Sequence, residues 1–519
     1  MTATHEVTNQ VPPLVDHDAS DYAPYAEALN RTGATDAHDR IHEIGVAAGS
    51  AEVQHLGDLA ERNKPILHTH DRYGNRIDQV EYDPSYHELM RRAVGFGLHG
   101  APWASDDPHA HLERALGMSI WMQTDAGHGC PISMTYAAVP ALRVDPALAA
   151  QYEPGLSNRE YDPSFAAPAG KAGLIAGMSM TEKQGGSDVR ANTTRAVEQP
   201  DGTYRLTGHK WFTSAPMSDI LLTLAQTDAG VTCFVLPRVL PDGTPNAIAL
   251  QRLKDKLGNK SNASAEIEYD QAFAWRVGDE GRGVRTIIEM VNMTRLDCVL
   301  GSASGMRLGV TQAAHHAAHR KAFGSYLIDQ PAMRNVLADL AIESEAATTT
   351  AMWLTGTRSR LGLAVAKYWV CKRAPVHAAE ALECLGGNGY IEDSGMPRLF
   401  RESPLSSIWE GSGNVAALDV LRAMRKESGE EFIDEVRGVD PRIDRAIPKL
   451  SDVDESQARR LVEQLALVLQ GALLVKYGHP AVADAFCASR LEGDWGRAFG
   501  TLSNKTDFTA ILERALPKI

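Results

Sequence analysis

The chain has 519 residues, of which 44% are hydrophobic and 23% are charged, a composition typical of a globular protein with more than one core. Its formal net charge of −14 argues against nucleic-acid binding over the whole surface and restricts such binding to a local basic patch. The N-terminus lacks signal-peptide features, and no run of about 18 apolar residues occurs. We therefore expect a soluble, cytoplasmic protein without a membrane span.

The six cysteines are scattered and form no CxxC pair. This spacing favours reduced thiols over a disulfide framework or a zinc site, so no metal site is predicted.

In chain order, the pattern predicts an α+β multidomain protein. Residues 1–165 combine a polar arm, reaching to about residue 40, with a helical domain, because apolar residues recur every three to four positions from about Tyr22 to Leu148. Residues 166–278 hold short β-type runs separated by turns such as Asp201-Gly202 and Asp242-Gly243, which predict an antiparallel β domain. Residues 279–428 predict a four-helix bundle, and residues 429–519 a helical extension.

The predicted strands cover residues 174–176, 203–207, 221–225, 231–236 and 265–269. The predicted helices include residues 86–94, 110–123, 281–321, 331–354, 363–385, 414–425 and 456–477.

One stretch near the end of the predicted bundle combines a carboxylate with an aromatic ring and a glycine-rich turn. Glu410 lies between Trp409 and Gly411-Ser412-Gly413. Apolar neighbours would raise the pKa of such a carboxylate, and glycines would let a ligand approach its backbone, which suits a catalytic base. Taken alone, the stretch also fits an acidic residue in a helix-initiating loop.

Two motifs of the predicted β domain could border a flat cofactor. Residues 180–188, MTEKQGGSD, place small residues and hydroxyls at a strand end, where backbone N–H groups are exposed. Residues 209–214, HKWFTS, set two aromatic rings beside two hydroxyls and could form the wall of a planar site. A polar turn and a buried strand with an aromatic pair are the alternative interpretations.

Two further motifs lie among the predicted helices. Arg320, at a predicted helix end, could meet a phosphate, with Phe323 packing on a sugar or base. The glycines of residues 383–390, ECLGGNGY, would permit close approach of a ligand, although a helix end followed by a loop would explain them equally well.

In this order, TEKQGGSD, KWFTS, RKAFG, LGGNGY and IWEGSGN resemble the acyl-CoA dehydrogenase family of flavoproteins, over about residues 45–428. The segment from Glu383 to Glu402 is similar to one family signature in full, whereas Ser179 replaces the usual small residue at the start of the other. Within the family the likeness is to the AidB type, from the bacterial adaptive response to alkylating agents. It rests on MTEKQGGSD, LKDKLGNKSNAS, MTRLDC, CKR, SIWEGSGN and the helical tail.

The resemblance implies FAD between the β domain and the C-terminal bundle. It also implies a homotetramer, a dimer of dimers in which a neighbouring subunit supplies Arg320 and Phe323 to the pyrophosphate and adenosine. The cofactor-binding residues carried over by resemblance are Met180, Thr181, Gly186, Ser187, Trp211, Phe212, Thr213, Ser214, Arg320, Phe323, Gln330, Gly386, Gly387, Ile408, Trp409, Ser412 and Asn414.

The resemblance further implies that Glu410 removes the α proton of an acyl-CoA thioester while a hydride leaves the β carbon for FAD. Arg295 is similar to a family arginine near that base, and a surface ion pair is the alternative for it. The AidB likeness also implies a second function, binding of double-stranded DNA through Arg422, with Arg425 and Lys426 beside it. Against this, residues 431–519 carry 12 basic and 14 acidic side chains. A solvated helix face is the alternative for these cations, and a blocked acyl pocket would remove the dehydrogenase activity.

Overall fold

The computed structural model describes residues 4–357, 359–426, 429–448 and 454–518, with the backbone alone at Lys426, Glu430 and Glu431. The chain divides into two units. The inserted unit runs from Glu52 to Asp297, and the flanking unit joins the residues up to Ala51 with those from Cys298 onward. None of the described helices is long and apolar enough to cross a membrane.

The inserted unit begins with helices and one strand pair. Asp83 and Asp145 each accept hydrogen bonds from the first backbone N–H groups of a helix that has proline at its first position, which explains where those two helices begin. Apolar residues of these helices, such as Leu89, Leu116 and Ile132, are fully buried. The helices are Ala51–Arg62, Pro84–Gly95, Ala110–Trp121, Gly129–Leu142 and Pro146–Ser157, and the antiparallel pair is Ile66–His70 with Arg76–Glu81.

A seven-stranded sheet follows in the same unit. Its strands are Ala176–Ser179, Arg195–Glu198, Tyr204–Ser214, Ile220–Thr227, Gly230–Pro237, Ile248–Leu253 and Ser264–Val277. The predicted antiparallel β domain is confirmed, since most neighbours pair antiparallel around a core that includes Leu206, Phe234 and Ile267. Ala176–Ser179 also pairs parallel with Ile220–Thr227, which the turn pattern did not predict.

The flanking unit contains the predicted bundle and tail. Helix Gly283–His319 begins in the inserted unit and belongs to the flanking unit from Cys298 onward. The other bundle helices are Pro331–Thr357, Arg360–Glu383 and Gly413–Lys426, with the short helix Met396–Glu402 between the last two. The tail helices are Gly429–Val436, Pro441–Ala446, Ala458–Tyr477, Pro480–Phe486 and Phe508–Ala515.

The tail packs on the bundle. Helix Ala458–Tyr477 lies against Pro331–Thr357, Arg360–Glu383 and Gly413–Lys426, and Phe508–Ala515 also lies against Pro331–Thr357. One apolar core combines bundle residues such as Leu337 and Ile342 with tail residues such as Phe486 and Ile511.

Two sequence expectations for the first 150 residues are wrong in part. The polar arm is extended only to Tyr22, because helices Ala23–Thr32 and His38–Gly49 follow it. The strand pair within residues 66–81 lies in a region expected to be helical. In the β domain, strands Arg195–Glu198 and Ile248–Leu253 were not predicted, whereas the turn at Asp201-Gly202 does join two paired strands.

Candidate active site

The Thr181 loop, residues 180–188, is anchored by the buried carboxylate of Glu182. Glu182 is fully buried and accepts hydrogen bonds from the backbone N–H groups of Thr193 (2.6 Å) and Thr194 (3.1 Å) and from Lys210 Nζ (2.9 Å). Burial would raise the pKa of Glu182, but Lys210 and these donors together lower it to about 2. The carboxylate is therefore a charged structural anchor, which leaves Gly186 and Ser187 exposed and Met180 and Thr181 half-buried above it.

The strand Tyr204–Ser214 lies beside this loop, because the backbone N–H of Trp211 donates to the Thr181 carbonyl at 2.8 Å. Phe212 is about half exposed, while Lys254 Nζ lies 3.2 Å from the centre of the Trp211 ring. Thr213 is fully buried, and its hydroxyl lies 2.6 Å from that of Ser179. The inserted unit thus brings the predicted loop and both aromatic rings together, with the Thr213 side chain turned into the domain.

In the flanking unit, Arg320 precedes a short β-hairpin with a two-residue turn, called here the Phe323 hairpin (residues 321–326). Phe323 and Gly324 both have positive φ, 52° and 87°, which is typical of a type I′ turn but is unusual for phenylalanine. The Phe323 side chain is fully exposed. Gln330 Nε2 donates to the Ala322 carbonyl at 2.9 Å, so the predicted residues Arg320, Phe323 and Gln330 occupy one small structure.

The N-terminal arm contacts this hairpin at Asn9. The Asn9 amide exchanges two hydrogen bonds of 2.9 Å with the Lys321 backbone, and the Asn9 carbonyl accepts from Arg320 Nη1. The arm thereby fixes the guanidinium of Arg320. Sequence reasoning missed this contact, because a single asparagine in a polar arm carries no pattern.

Gly386 and Gly387 begin a 3₁₀ turn, Gly386–Tyr390, that follows helix Arg360–Glu383. A Cβ atom at Gly386 or Gly387 would meet nothing within 4 Å among the described atoms, and Gly386 has a φ of 59°. The Tyr390 side chain that follows is largely exposed. The turn therefore presents open backbone, as close approach of a ligand requires.

The Glu410 loop, residues 408–412, connects two elements that both pack on helix Arg360–Glu383: the 3₁₀ turn Leu405–Ser407 and helix Gly413–Lys426. Glu410 is half-buried and has a φ of 57°. The buried amino group of Lys367 donates to the carbonyls of Trp409 (2.9 Å) and Gly411. Ile408 is exposed, and the Trp409 indole N–H is buried without a partner among the described residues.

The remaining residues of the loop and its helix are accessible. Ser412 and Asn414 are exposed, and Asn414 Oδ1 accepts a hydrogen bond of 2.8 Å from Arg459 Nε.

Two arginines were assigned roles from the sequence. Arg295, in the inserted unit, is only 8% exposed, which argues against its alternative interpretation as a surface ion pair. Arg422 and Arg425 are exposed on helix Gly413–Lys426, whereas the side chain of Lys426 lies outside the described residues.

Comparison with known proteins covers nearly the whole chain. Residues 9–163 match the family described as the N-terminal domain of the adaptive response protein AidB. Residues 177–272 and 281–425 match the middle and C-terminal domains of acyl-CoA dehydrogenases.

Two relatives and one solved structure extend this likeness. The chain is 44% identical to the putative acyl-CoA dehydrogenase AidB of Escherichia coli strain K12, over 94% of its own length and 95% of that protein. It is 33% identical to acyl-CoA dehydrogenase family member 11 of Caenorhabditis elegans, over 89% of its own length and 76% of that protein. The crystal structure of C. elegans ACDH-11 in complex with C11-CoA superposes with a TM-score of 0.82 at 26% identity, covering 94% of this chain and 93% of that one.

Proposed function

We propose, given that the chain belongs to the acyl-CoA dehydrogenase family of oxidoreductases acting on CH–CH groups, that it desaturates an acyl-CoA thioester with FAD as cofactor. The observation that carries this proposal is the Glu410 loop. It presents a half-buried carboxylate on a backbone that is hydrogen-bonded on both sides of Glu410. A carboxylate fixed in this way suits a general base, because proton transfer needs the base within hydrogen-bond reach of the C–H group.

Glu410 would remove the α proton of the thioester. The α C–H group is a weak acid, so negative charge that develops on the thioester carbonyl oxygen must be stabilised by donors. The backbone N–H of Glu410 is the donor that this chain would supply. FAD, when bound, supplies the acceptor for the hydride that leaves the β carbon.

Taken unit by unit, the residues present suit parts of a flavin dinucleotide. The buried Trp409 indole N–H offers a donor that no described protein group uses. The open space beside Gly386 and Gly387 leaves their backbone free for the ADP half, and Arg320 carries the charge for a pyrophosphate. In the inserted unit, Thr181, Ser187, Trp211, Phe212 and Ser214 would border the ring, with the backbone of Met180, Gly186 and Thr213. Gln330, Phe323, Ile408, Ser412 and Asn414 would complete the contacts.

An anaerobic reduction experiment tests the proposal. The FAD-loaded protein is mixed with acyl-CoA thioesters of different length and branching, including C11-CoA, the ligand named for the C. elegans structure. We expect loss of flavin absorbance with at least one thioester. Glu410→Gln should slow that loss by roughly 10²–10⁴-fold, the usual contribution of a general base.

The matched control is Glu463→Gln, which removes a carboxylate from an exposed helix position in the tail and should leave the rate unchanged. Absence of bleaching with every thioester would rule out the proposed activity, as would a Glu410→Gln variant that reacts at the wild-type rate.

We also propose a homotetramer. A fully exposed Phe323, together with exposed Tyr326, Tyr390 and Ile391, leaves apolar surface on the flanking unit that a second copy would bury. In the family arrangement, Arg320 and Phe323 would reach the cofactor of the neighbouring copy. Light scattering should give four times the chain mass of 56.2 kDa, and a monomer at micromolar concentration would exclude a shared site.

Duplex DNA is a second candidate partner. Arg422 and Arg425 lie three residues apart on one helix and are both exposed, as phosphate contacts require. Two other arginines of the flanking unit are already paired with carboxylates and are less suited to phosphate contacts. Arg373 is bonded to Glu343 at 3.0 Å, and Arg445 to Glu492 at 2.8 Å. A shift assay at low salt should detect binding, and Arg422→Ala should reduce the salt slope by about one. No shift of duplex DNA at low salt would eliminate this function.

A further inference from the structure

Helix Arg360–Glu383 carries a lysine whose charged end is buried under the Glu410 loop. Lys367 is 1% exposed, although lysine is among the side chains that are most rarely buried. Its amino group donates to the carbonyl oxygen of Trp409 at 2.9 Å and to that of Gly411. These carbonyls belong to the residues immediately before and after Glu410, so the two bonds lie on either side of the Glu410–Gly411 peptide group.

These bonds act on a backbone that would otherwise relax. Glu410 has a φ of 57°, in the left-handed region that residues other than glycine rarely occupy and that persists only where the surroundings hold it. Gly411 follows with a φ of 109°. With the Trp409 and Gly411 carbonyls attached to one buried ammonium group, the peptide group before Glu410 and the one after Gly411 cannot turn independently. The direction of the carboxylate is therefore set from the helix.

Lysine is chemically suited to this task. The ammonium group has three donors and no acceptor, so it can hold two carbonyls at once. Methionine has similar length and shape but no donor, so it would leave both carbonyls without their bonds. Arginine keeps the positive charge and several donors, although in a planar arrangement.

We propose that Lys367 is a positioning residue for the Glu410 carboxylate, an inference that rests on the proposed function of Glu410 as the base. Lys367 touches neither substrate nor cofactor in this role. It fixes the loop so that the carboxylate meets the α C–H group without prior rearrangement. An error of about 1 Å in such a geometry can cost about 10²-fold in rate.

The test compares Lys367→Met and Lys367→Arg with the wild type and with a matched control, Lys476→Met. Lys476 also donates to a backbone carbonyl, that of Glu435 at 2.6 Å, but in the tail. Two quantities are measured on the FAD-loaded protein. One is the anaerobic flavin reduction by the most reactive thioester, resolved into the limiting rate and the substrate Kd, and the other is amide hydrogen exchange of residues 408–414.

We expect Lys367→Met to lower the limiting rate by about 10²-fold while the Kd changes less than about threefold, because the carboxylate is displaced and the binding surface stays. Exchange in residues 408–414 should rise, and Lys367→Arg should recover most of the rate and of the protection. Lys476→Met should match the wild type in both measurements.

The outcomes separate the two proposals. If Glu410→Gln abolishes reduction but Lys367→Met reacts at the wild-type rate, the positioning role is wrong and the proposed function stands. If no thioester reduces the wild-type flavin, the proposed function fails, and unchanged exchange in residues 408–414 of Lys367→Met would then also show that Lys367 does not hold the loop. If Lys367→Met does not fold, the same two measurements on Lys367→Arg decide. A Lys367→Arg variant that keeps slow amide exchange in residues 408–414 but reduces the flavin about 10²-fold more slowly would overturn the proposal.

Discussion

At the scale of single residues, Gly186 shows how closely the Thr181 loop is packed on itself. A Cβ atom at this position would lie 2.4 Å from Thr181 Oγ1 and 3.2 Å from its methyl carbon. Gly186→Ala would therefore displace Thr181, a predicted flavin contact, without entering the core. We expect the Kd for FAD to rise about tenfold, measured by flavin fluorescence, which corresponds to roughly 1.4 kcal/mol.

Gly170→Ala is the control for that substitution. Its Cβ would meet nothing within 4 Å, and it lies outside every predicted site. It should leave both the Kd for FAD and the melting temperature unchanged. Equal Kd values for Gly186→Ala and the wild type would contradict a role of Thr181 in binding the flavin.

The buried pair of Glu182 and Lys210 gives a second prediction at this scale. Both side chains are fully buried, and Lys210 also donates to the Leu224 carbonyl at 2.7 Å. Lys210→Met would leave the Glu182 carboxylate without its countercharge, which typically costs about 3–5 kcal/mol of unfolding free energy. Urea unfolding should show this loss, and the double variant with Glu182→Gln should recover part of it. A double variant that is as unstable as the sum of the two single variants would exclude coupling between them.

At the scale of elements, the tail is attached to the bundle by buried charges as well as by apolar packing. The Asp339 carboxylate, on helix Pro331–Thr357, accepts hydrogen bonds from three tail groups: the Arg490 guanidinium, the Trp495 indole N–H (3.1 Å) and the Gly500 backbone N–H (2.9 Å). Arg490 also reaches Glu343 at 3.1 Å. The Asp339 carboxylate of helix Pro331–Thr357 therefore receives its hydrogen-bonded cation from the tail, whereas Glu343 shares Arg490 with Arg373 of the bundle.

Arg490→Met should release this attachment. It leaves Asp339 without this cation, while Glu343 keeps Arg373, so we expect a loss of about 3–5 kcal/mol and faster proteolysis within residues 480–518. The exposed Arg497 of the same tail is the control, and Arg497→Met should change stability by less than about 0.5 kcal/mol. Unchanged proteolysis of Arg490→Met would show that apolar packing alone holds the tail.

Elements were predictable from sequence in proportion to how regularly they are buried. The bundle helices are buried over long stretches, at every position from Leu337 to Leu354 in one of them, and their predicted bounds differ from the observed ones by at most three residues. Strand Ile66–His70, by contrast, has no fully buried residue, and Arg195–Glu198 has only one. Such strands are stabilised by their neighbours, and no alternation of apolar residues indicates them in advance.

The candidate site could be proposed from sequence to the extent that it consists of short motifs. The Thr181 loop, the aromatic strand and the Glu410 loop were all identified by their residue types. Lys367 and Asn9 were missed because both act through backbone groups separated from them by more than 40 residues, and such contacts leave no spacing in the sequence.

At the scale of the whole molecule, each unit contains a buried carboxylate that is ionised by its neighbours. Burial would raise the pKa of Glu343 in the flanking unit, but Arg373 and Arg490 outweigh it and lower that pKa to about 2, as Lys210 does for Glu182. The folded state then binds fewer protons than the unfolded state between about pH 4.5 and pH 2. The stability from both groups is complete above about pH 4.5 and is lost as the pH falls through this range.

Asp219 acts in the opposite direction, because burial raises its pKa to about 6 and protonation therefore favours the folded state between pH 6 and about 4. Asp219 contributes a rise in the urea midpoint as the pH falls from 7 to 5, and we expect the midpoint to fall below about pH 4.5, where Glu182 and Glu343 lose their charge. In Glu343→Gln the fall should be shallower from a lower starting value. A wild-type midpoint that rises below pH 4 would contradict these assignments.

The discontinuous flanking unit also constrains how the chain is made. Residues up to Ala51 belong to the same unit as those from Cys298 onward, and about 250 residues lie between them. At a translation rate of roughly 5–20 residues per second, the first helices wait on the order of 10–50 s for their partners while the inserted unit is completed. The inserted unit can fold on the ribosome as one continuous stretch, whereas the early helices stay exposed and are the segment that a nascent-chain chaperone would need to cover.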